Sequence, residues 1–91
     1  MDEKTKFKNV LLSDPHTILG KKGLHNNEGF INHVNQLLKT HKIIKIKILK
    51  TALHDMKIDK LANLIAQKTD SYLLDLRGRI IILSKTPIDI K

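Results

Sequence analysis

Two glycines that enclose two lysines are the part of this sequence best suited to contact a ligand. Gly20-Lys21-Lys22-Gly23 lets the backbone approach a ligand closely, and its two cations must point outward. A helix is expected a few residues later, so its first N–H groups could face a phosphate. The loop lacks the spacing and the Lys-Ser or Lys-Thr ending of a P-loop, so nucleotide hydrolysis is not indicated. The alternative to a phosphate-binding loop is a surface turn with two solvated lysines.

Two further pairs of cations stand at positions where they could extend such a site. Lys45 and Lys47 alternate with isoleucines, and this period of two predicts a strand with one apolar and one basic face. Arg77 and Arg79, the only arginines, flank Gly78, which suits a tight hairpin turn. We therefore expect Lys45, Lys47, Arg77 and Arg79 to contact the ligand together with the loop, although each pair could also be a solvated surface.

Catalytic and metal-binding patterns are not visible. Without cysteine there is no thiol nucleophile and no cysteine-ligated metal, and no two of the five histidines stand four residues apart. The carboxylates are scattered, and no serine has an evident base. We expect a protein that is not an enzyme and that needs no cofactor, metal or small-molecule substrate.

The charge balance points to an anionic partner. Lys and Arg number 17 against 9 Asp and Glu, for a net charge of +8, with a pI near 9.9. Lysine dominates this set, which favours attraction to phosphates over bidentate reading of base edges, and 3% aromatic residues argue against extensive base stacking. No apolar run approaches the roughly 20 residues of a membrane span, and no signal peptide is visible, so we expect a cytoplasmic location without membrane contact.

The elements that must position these residues follow from periodicity and from turn signals. The pattern predicts the order α-β-α-β-α-β-β in a single domain over residues 1–91, with a core over about 7–85 and a tail over 86–91. Asn26 or Asn27 is expected to cap the second helix and Asp55 the third, and the last strand is expected to be central in the sheet. The predicted helices cover about residues 3–13, 28–41 and 56–69, and the predicted strands 16–19, 43–49, 72–76 and 79–83. The fold class is thus α+β, with a four-stranded mixed sheet and three helices.

Several segments in this order resemble one known family. The glycine loop, then Glu28-Gly29-Phe30-Ile31, a helix like the one over 61–69 and a hairpin like the one over 73–83 are similar to the CRM domain. That name stands for chloroplast RNA splicing and ribosome maturation, and the single-domain prokaryotic members are called YhbY-like. The sequence departs from the family where His25-Asn26-Asn27 lengthens the link after the loop and where Asp70 replaces the usual glycine.

The resemblance implies a fold similar to the C-terminal domain of translation initiation factor three, and RNA binding through Gly20, Lys21, Lys22, Gly23 and the adjoining basic surface. It also implies ribosomal RNA as partner, because prokaryotic members are linked to precursors of the large ribosomal subunit. Two alternatives stay open. One is a nucleic-acid-coating chromatin protein of the Alba type, which would bind arbitrary duplex DNA. The other is a ribosome-assembly scaffold that acts mainly through protein contacts. The oligomeric state is not indicated.

Overall fold

The computed structural model describes residues 3–21, 23–24 and 27–87. Within this part of the chain, three α-helices and four strands follow one another in the predicted order. They are α1 (Glu3–Leu12), β1 (Thr17–Leu19), α2 (Glu28–His41), β2 (Ile43–Ile48), α3 (Ile58–Lys68), β3 (Tyr72–Arg77) and β4 (Ile80–Ser84), with a short 3-10 helix (Lys50–Ala52) between β2 and α3.

The four strands form one mixed sheet in the order β1-β2-β4-β3. β1 runs parallel to β2, whereas β4 is antiparallel to both of its neighbours. The prediction of an α+β fold with a four-stranded mixed sheet and three helices is confirmed. The prediction that the last strand is central is also confirmed, because Ile81, Ile82 and Leu83 of β4 are buried.

The main core lies between one face of the sheet and the helices α2 and α3. Phe30, Val34 and Leu38 recur every four residues and form the buried stripe of α2. Ile44 and Ile46 of β2 meet this stripe and are fully buried, as their period of two predicted. Leu61, Ala62, Ile65 and Ala66 form the corresponding stripe of α3.

A second, smaller core lies on the other face of the sheet, under α1. Phe7 of α1 packs there against Ile43 and Ile82, with Val10 and Leu11 at its edge. The expectation that β2 presents a purely basic outer face is therefore wrong in part. Ile43, the first residue of the strand, lies on the same face as Lys45 and Lys47, and it is buried because α1 packs over that end of the face.

The ends of the helices differ in how well the sequence indicated them. Asn27 caps α2 as predicted, and Asp70 adopts the left-handed conformation, with φ of 51°, that the usual glycine would supply. The prediction that Asp55 caps α3 is wrong, because α3 begins at Ile58 with no side-chain cap and Asp55 itself has φ of 68°. Of the helices in the described ranges, none combines the length and apolar character that crossing a membrane requires.

Candidate nucleic-acid interface

Three separate segments meet at one end of the sheet. β1 and β2 end together, since Leu19 pairs with Ile48 and the carbonyl of Leu19 accepts from the N–H of Leu49 at 3.0 Å. The β3–β4 turn reaches the same end, because the N–H of Ile48 donates to the carbonyl of Arg79 at 2.8 Å. The glycine loop, the exit of β2 and the hairpin turn are thus neighbours. We call this surface the basic end, after its exposed cations Lys21, Lys47, Lys50, Arg77 and Arg79.

The glycine loop is closed by its own backbone and by Asn27. The N–H of Gly23 donates to the carbonyl of Gly20 at 2.9 Å, and Nδ2 of Asn27 donates to the carbonyl of Gly23 at 2.8 Å. Gly23 has φ of 64°, and a Cβ there would lie 2.8 Å from the carbonyl oxygen of Ala52. Gly20 has no positive φ, and the space beside it is open. Lys22 lies outside the described residues.

His54 supports the loop from a distant part of the sequence. Its Nε2 lies 2.6 Å from the carbonyl oxygen of Lys21, within hydrogen-bond distance, and its ring lies 3.5 Å from the Cβ position at Gly23. The loop therefore rests on the segment that follows β2. Sequence reasoning missed this contact, because 33 residues separate the two partners and no motif links them.

The start of α2 is less available to an anion than the sequence suggested. Oδ1 of Asn27 accepts from the N–H of Phe30 at 3.3 Å, and Glu28 places a carboxylate in the first turn. Asn27 thus already accepts a hydrogen bond from one free N–H group, and the carboxylate of Glu28 already stands in the first turn, where the helix dipole is positive. The expectation that the N–H groups of α2 face a phosphate is therefore not supported by this geometry.

The two lysines of β2 share one face of the sheet but have different surroundings. Nζ of Lys45 donates to the carbonyls of Leu11 at 2.9 Å and Ser13 at 2.7 Å, at the C-terminal end of α1. A cation is stabilising at that end of a helix. Lys47 is exposed. In the register of the sheet it stands in one row with Ile18, Ile80 and Arg77. The sequence predicted both as contacts, yet the structure leaves Lys47 open and gives Lys45 a structural partner.

The two arginines stand at the hairpin turn, as predicted. Gly78 between them has φ of 59°, which the turn requires. Nε of Arg77 lies 2.6 Å from Oδ2 of Asp75, in an ion pair in which the arginine side chain stays 67% exposed. Such surface pairs contribute about 0–1 kcal/mol, so Arg77 can exchange this partner for a phosphate. Arg79 is exposed in the turn itself.

His16 belongs to the link between α1 and β1. It is half-buried, its Nδ1 accepts from the N–H of Lys45 at 3.0 Å, and its ring centroid lies 4.8 Å from that of His41. Burial lowers the pKa of His16 below its ordinary value of 6.5, and the charge of His41 lowers it further. Among the residues that the structure describes, no three His, Asp or Glu side chains group as they would around a metal ion.

Comparison with known proteins places this chain in a family. A profile of the CRS1/YhbY (CRM) domain matches residues 2–85, and the chain therefore belongs to that family of RNA-binding domains. No curated protein matches it significantly. Among solved structures, it is similar to the solution structure of hypothetical protein SAV1595 from Staphylococcus aureus, described as a candidate RNA-binding protein. The two share 23% identity over 100% of this chain and 95% of that one, with a TM-score of 0.66, which establishes a common fold.

Proposed function

We propose that this chain is a non-enzymatic protein that binds structured ribosomal RNA in the cytoplasm, during assembly of the large ribosomal subunit. The observation that carries the proposal is the basic end, where three segments distant in sequence bring together exposed cations. Membership of the CRM family supports RNA as the polyanion. The choice of ribosomal RNA rests on the family resemblance, which implies a link between prokaryotic members and precursors of the large ribosomal subunit.

The chemistry of the basic end suits phosphates more than base edges. Three of its five described cations are lysines, which act as hydrated point charges. In the sequence, Lys22 is a fourth lysine, in the same loop as Lys21. Gly20 leaves open space in which a sugar or phosphate can come close to the backbone. Lys45 contributes indirectly, since its ammonium group is bound by carbonyls of α1. Binding in this mode follows the shape of the RNA backbone.

Crosslinking in living cells, followed by sequencing of the bound RNA, tests this proposal. We expect the reads to concentrate in large-subunit ribosomal RNA and its precursor. The double variant Lys21→Glu/Lys22→Glu is expected to lose them. The matched control Lys39→Glu/Lys85→Glu changes charge equally but acts at the opposite end of the sheet, about 16 Å away along β2, and is expected to keep them.

Two outcomes would contradict the proposal. Reads spread evenly over unrelated transcripts would remove the ribosomal assignment. Association with ribosomal particles that survives loss of the loop lysines would favour a scaffold held by protein contacts.

A further inference from the structure

An apolar groove lies directly beside the glycine loop, between the segment after β2 and α3. It encloses about 380 Å³, and four of its lining side chains are aliphatic and only half-buried. They are Leu24, Leu53, Met56 and Leu64. When a flat apolar group covers half-exposed aliphatic side chains in one depression, apolar surface leaves water, and binding is thereby stabilised.

The groove and the glycine loop share two residues. Ala52 lines the groove, and its carbonyl is the atom that excludes a side chain at Gly23. His54 also lines the groove while its Nε2 contacts the carbonyl of Lys21. A polymer whose phosphate lies on the loop therefore has the groove as its nearest apolar surface. The two features form one continuous site.

Cations line the groove and the depression that adjoins it. Lys68 lines the groove on α3, and Lys57 and Lys60 line the adjoining depression that shares Met56 and His54 with it. Asp55 also borders that depression, so the rim is mixed in charge with a basic excess. An apolar floor between phosphate-binding groups matches an unstacked nucleotide, which offers a flat base and a phosphate on either side.

We propose that this groove receives an unpaired nucleobase of an RNA whose phosphates lie on the glycine loop. The inference rests on the proposed function and adds the class of RNA: a structured RNA with a single-stranded loop, bulge or end at the point of contact. The scarcity of aromatic residues does not exclude base binding here, because the base packs on aliphatic side chains. Duplex RNA alone would leave the groove empty.

Methyl NMR of the full chain tests the inference, because Met56 and Met1 are its only methionines. The probes are a short single-stranded RNA and an abasic strand with the same number of phosphates. Both are expected to shift the amide resonances of Gly20 and Gly23. Only the strand with bases is expected to shift the Met56 methyl resonance, and it is expected to bind about fivefold tighter, the low end of the range for base stacking.

A variant in the groove supplies a second measurement. Leu64 is half-exposed and lies outside both buried clusters, so Leu64→Gln is expected to fold and to reduce the fivefold preference to about one. Leu12→Gln, the same change at an 82% exposed position on α1, is the control and is expected to retain the preference.

The outcomes separate this inference from the proposed function. If the loop amides shift but the Met56 methyl does not, or if Leu64→Gln keeps the preference, the groove is not a base site and RNA binding by the loop still stands. If neither strand perturbs the loop, the base site is contradicted, and the proposed function is contradicted as well if a structured ribosomal RNA fragment also leaves the loop amides unshifted.

Discussion

The two glycines of the loop differ in what requires them. Gly23 combines a positive φ with a contact at 2.8 Å to the carbonyl of Ala52, whereas a side chain at Gly20 would meet open space. Gly23 is thus required by the fold. Gly20 is free to serve the approach of a ligand, which is the role we propose for it.

Alanine substitutions separate these two roles. Gly23→Ala is expected to reduce the free energy of unfolding by about 1–3 kcal/mol, because the new Cβ meets strained backbone and a carbonyl. Gly20→Ala is expected to change it by less than about 0.5 kcal/mol and to weaken RNA binding. Urea unfolding of both variants measures the difference. Equal stabilities of the two variants would show that position 23 does not require glycine.

Lys45 and Lys47 provide a second contrast between neighbouring residues. Lys45→Met removes a cation that binds two carbonyls at the end of α1, so we expect a loss of about 1–2 kcal/mol in the free energy of unfolding. Lys47→Met is expected to leave stability within about 0.5 kcal/mol of the original. It should also make the slope of log affinity against log salt less steep by about 0.7–0.9.

Chemical unfolding and RNA titrations at several salt concentrations measure both effects. The assignment is contradicted if Lys45→Met flattens the salt dependence as much as Lys47→Met does and leaves stability unchanged.

At the scale of elements, the attachment of α1 depends on a small set of contacts. Phe7 packs against Ile43 and Ile82, while Lys45 and His16 tie the end of the helix and the following link to β2. Since this second core is small, polar contacts contribute more to holding α1 than they do for α2 or α3. One of them involves His16, whose pKa is lowered below its ordinary value by burial.

The stability of this attachment is expected to depend on pH through His16. Its pKa in the folded protein lies below 6.5 because the ring is half-buried beside His41. The unfolded chain therefore binds more protons between the two pKa values, and stability present above pH 6.5 is lost as the pH falls through that window. Urea unfolding at pH 7.5 and 5.5 measures this loss. His16→Gln should reduce it, and an unchanged pH dependence in that variant would contradict the assignment.

Local patterns predicted most of these elements, and tertiary contacts decided the rest. The alternation in β2 and the four-residue stripe in α2 predicted element types and buried faces, because each periodicity follows from backbone geometry. The same alternation could not show that α1 lies over Lys45, since that contact joins segments about 30 residues apart. Asp55 suited a cap by residue type, but its own positive φ places it in a turn before the helix.

The candidate site was predictable in its residues more than in its arrangement. Gly20, Lys21, Gly23, Arg77 and Arg79 were indicated by type and spacing. Their meeting at one end of the sheet follows from the strand order β1-β2-β4-β3, which local patterns do not specify. The support from His54 and the groove beside it depend on the same long-range packing.

At the scale of the whole molecule, the net charge of +8 supplies the electrostatic attraction for the RNA binding that we propose. The structure collects five described cations at the basic end, and Lys22 belongs to the same loop in the sequence. If about five phosphates are neutralised, log affinity should fall against log salt with a slope of about −3.5 to −4.5. An association that is insensitive to salt would be incompatible with binding by phosphate contacts.

The central claim is that the basic end, and not the net charge in general, binds RNA. The most direct measurement compares salt-dependent affinities for one structured ribosomal RNA fragment among the natural chain, Lys21→Glu/Lys22→Glu and Lys39→Glu/Lys85→Glu. We predict that the loop variant loses at least about tenfold in affinity and that its slope becomes less steep by about 1.4–1.8, while the control stays close to the natural chain. Equal losses in the two variants would contradict the account.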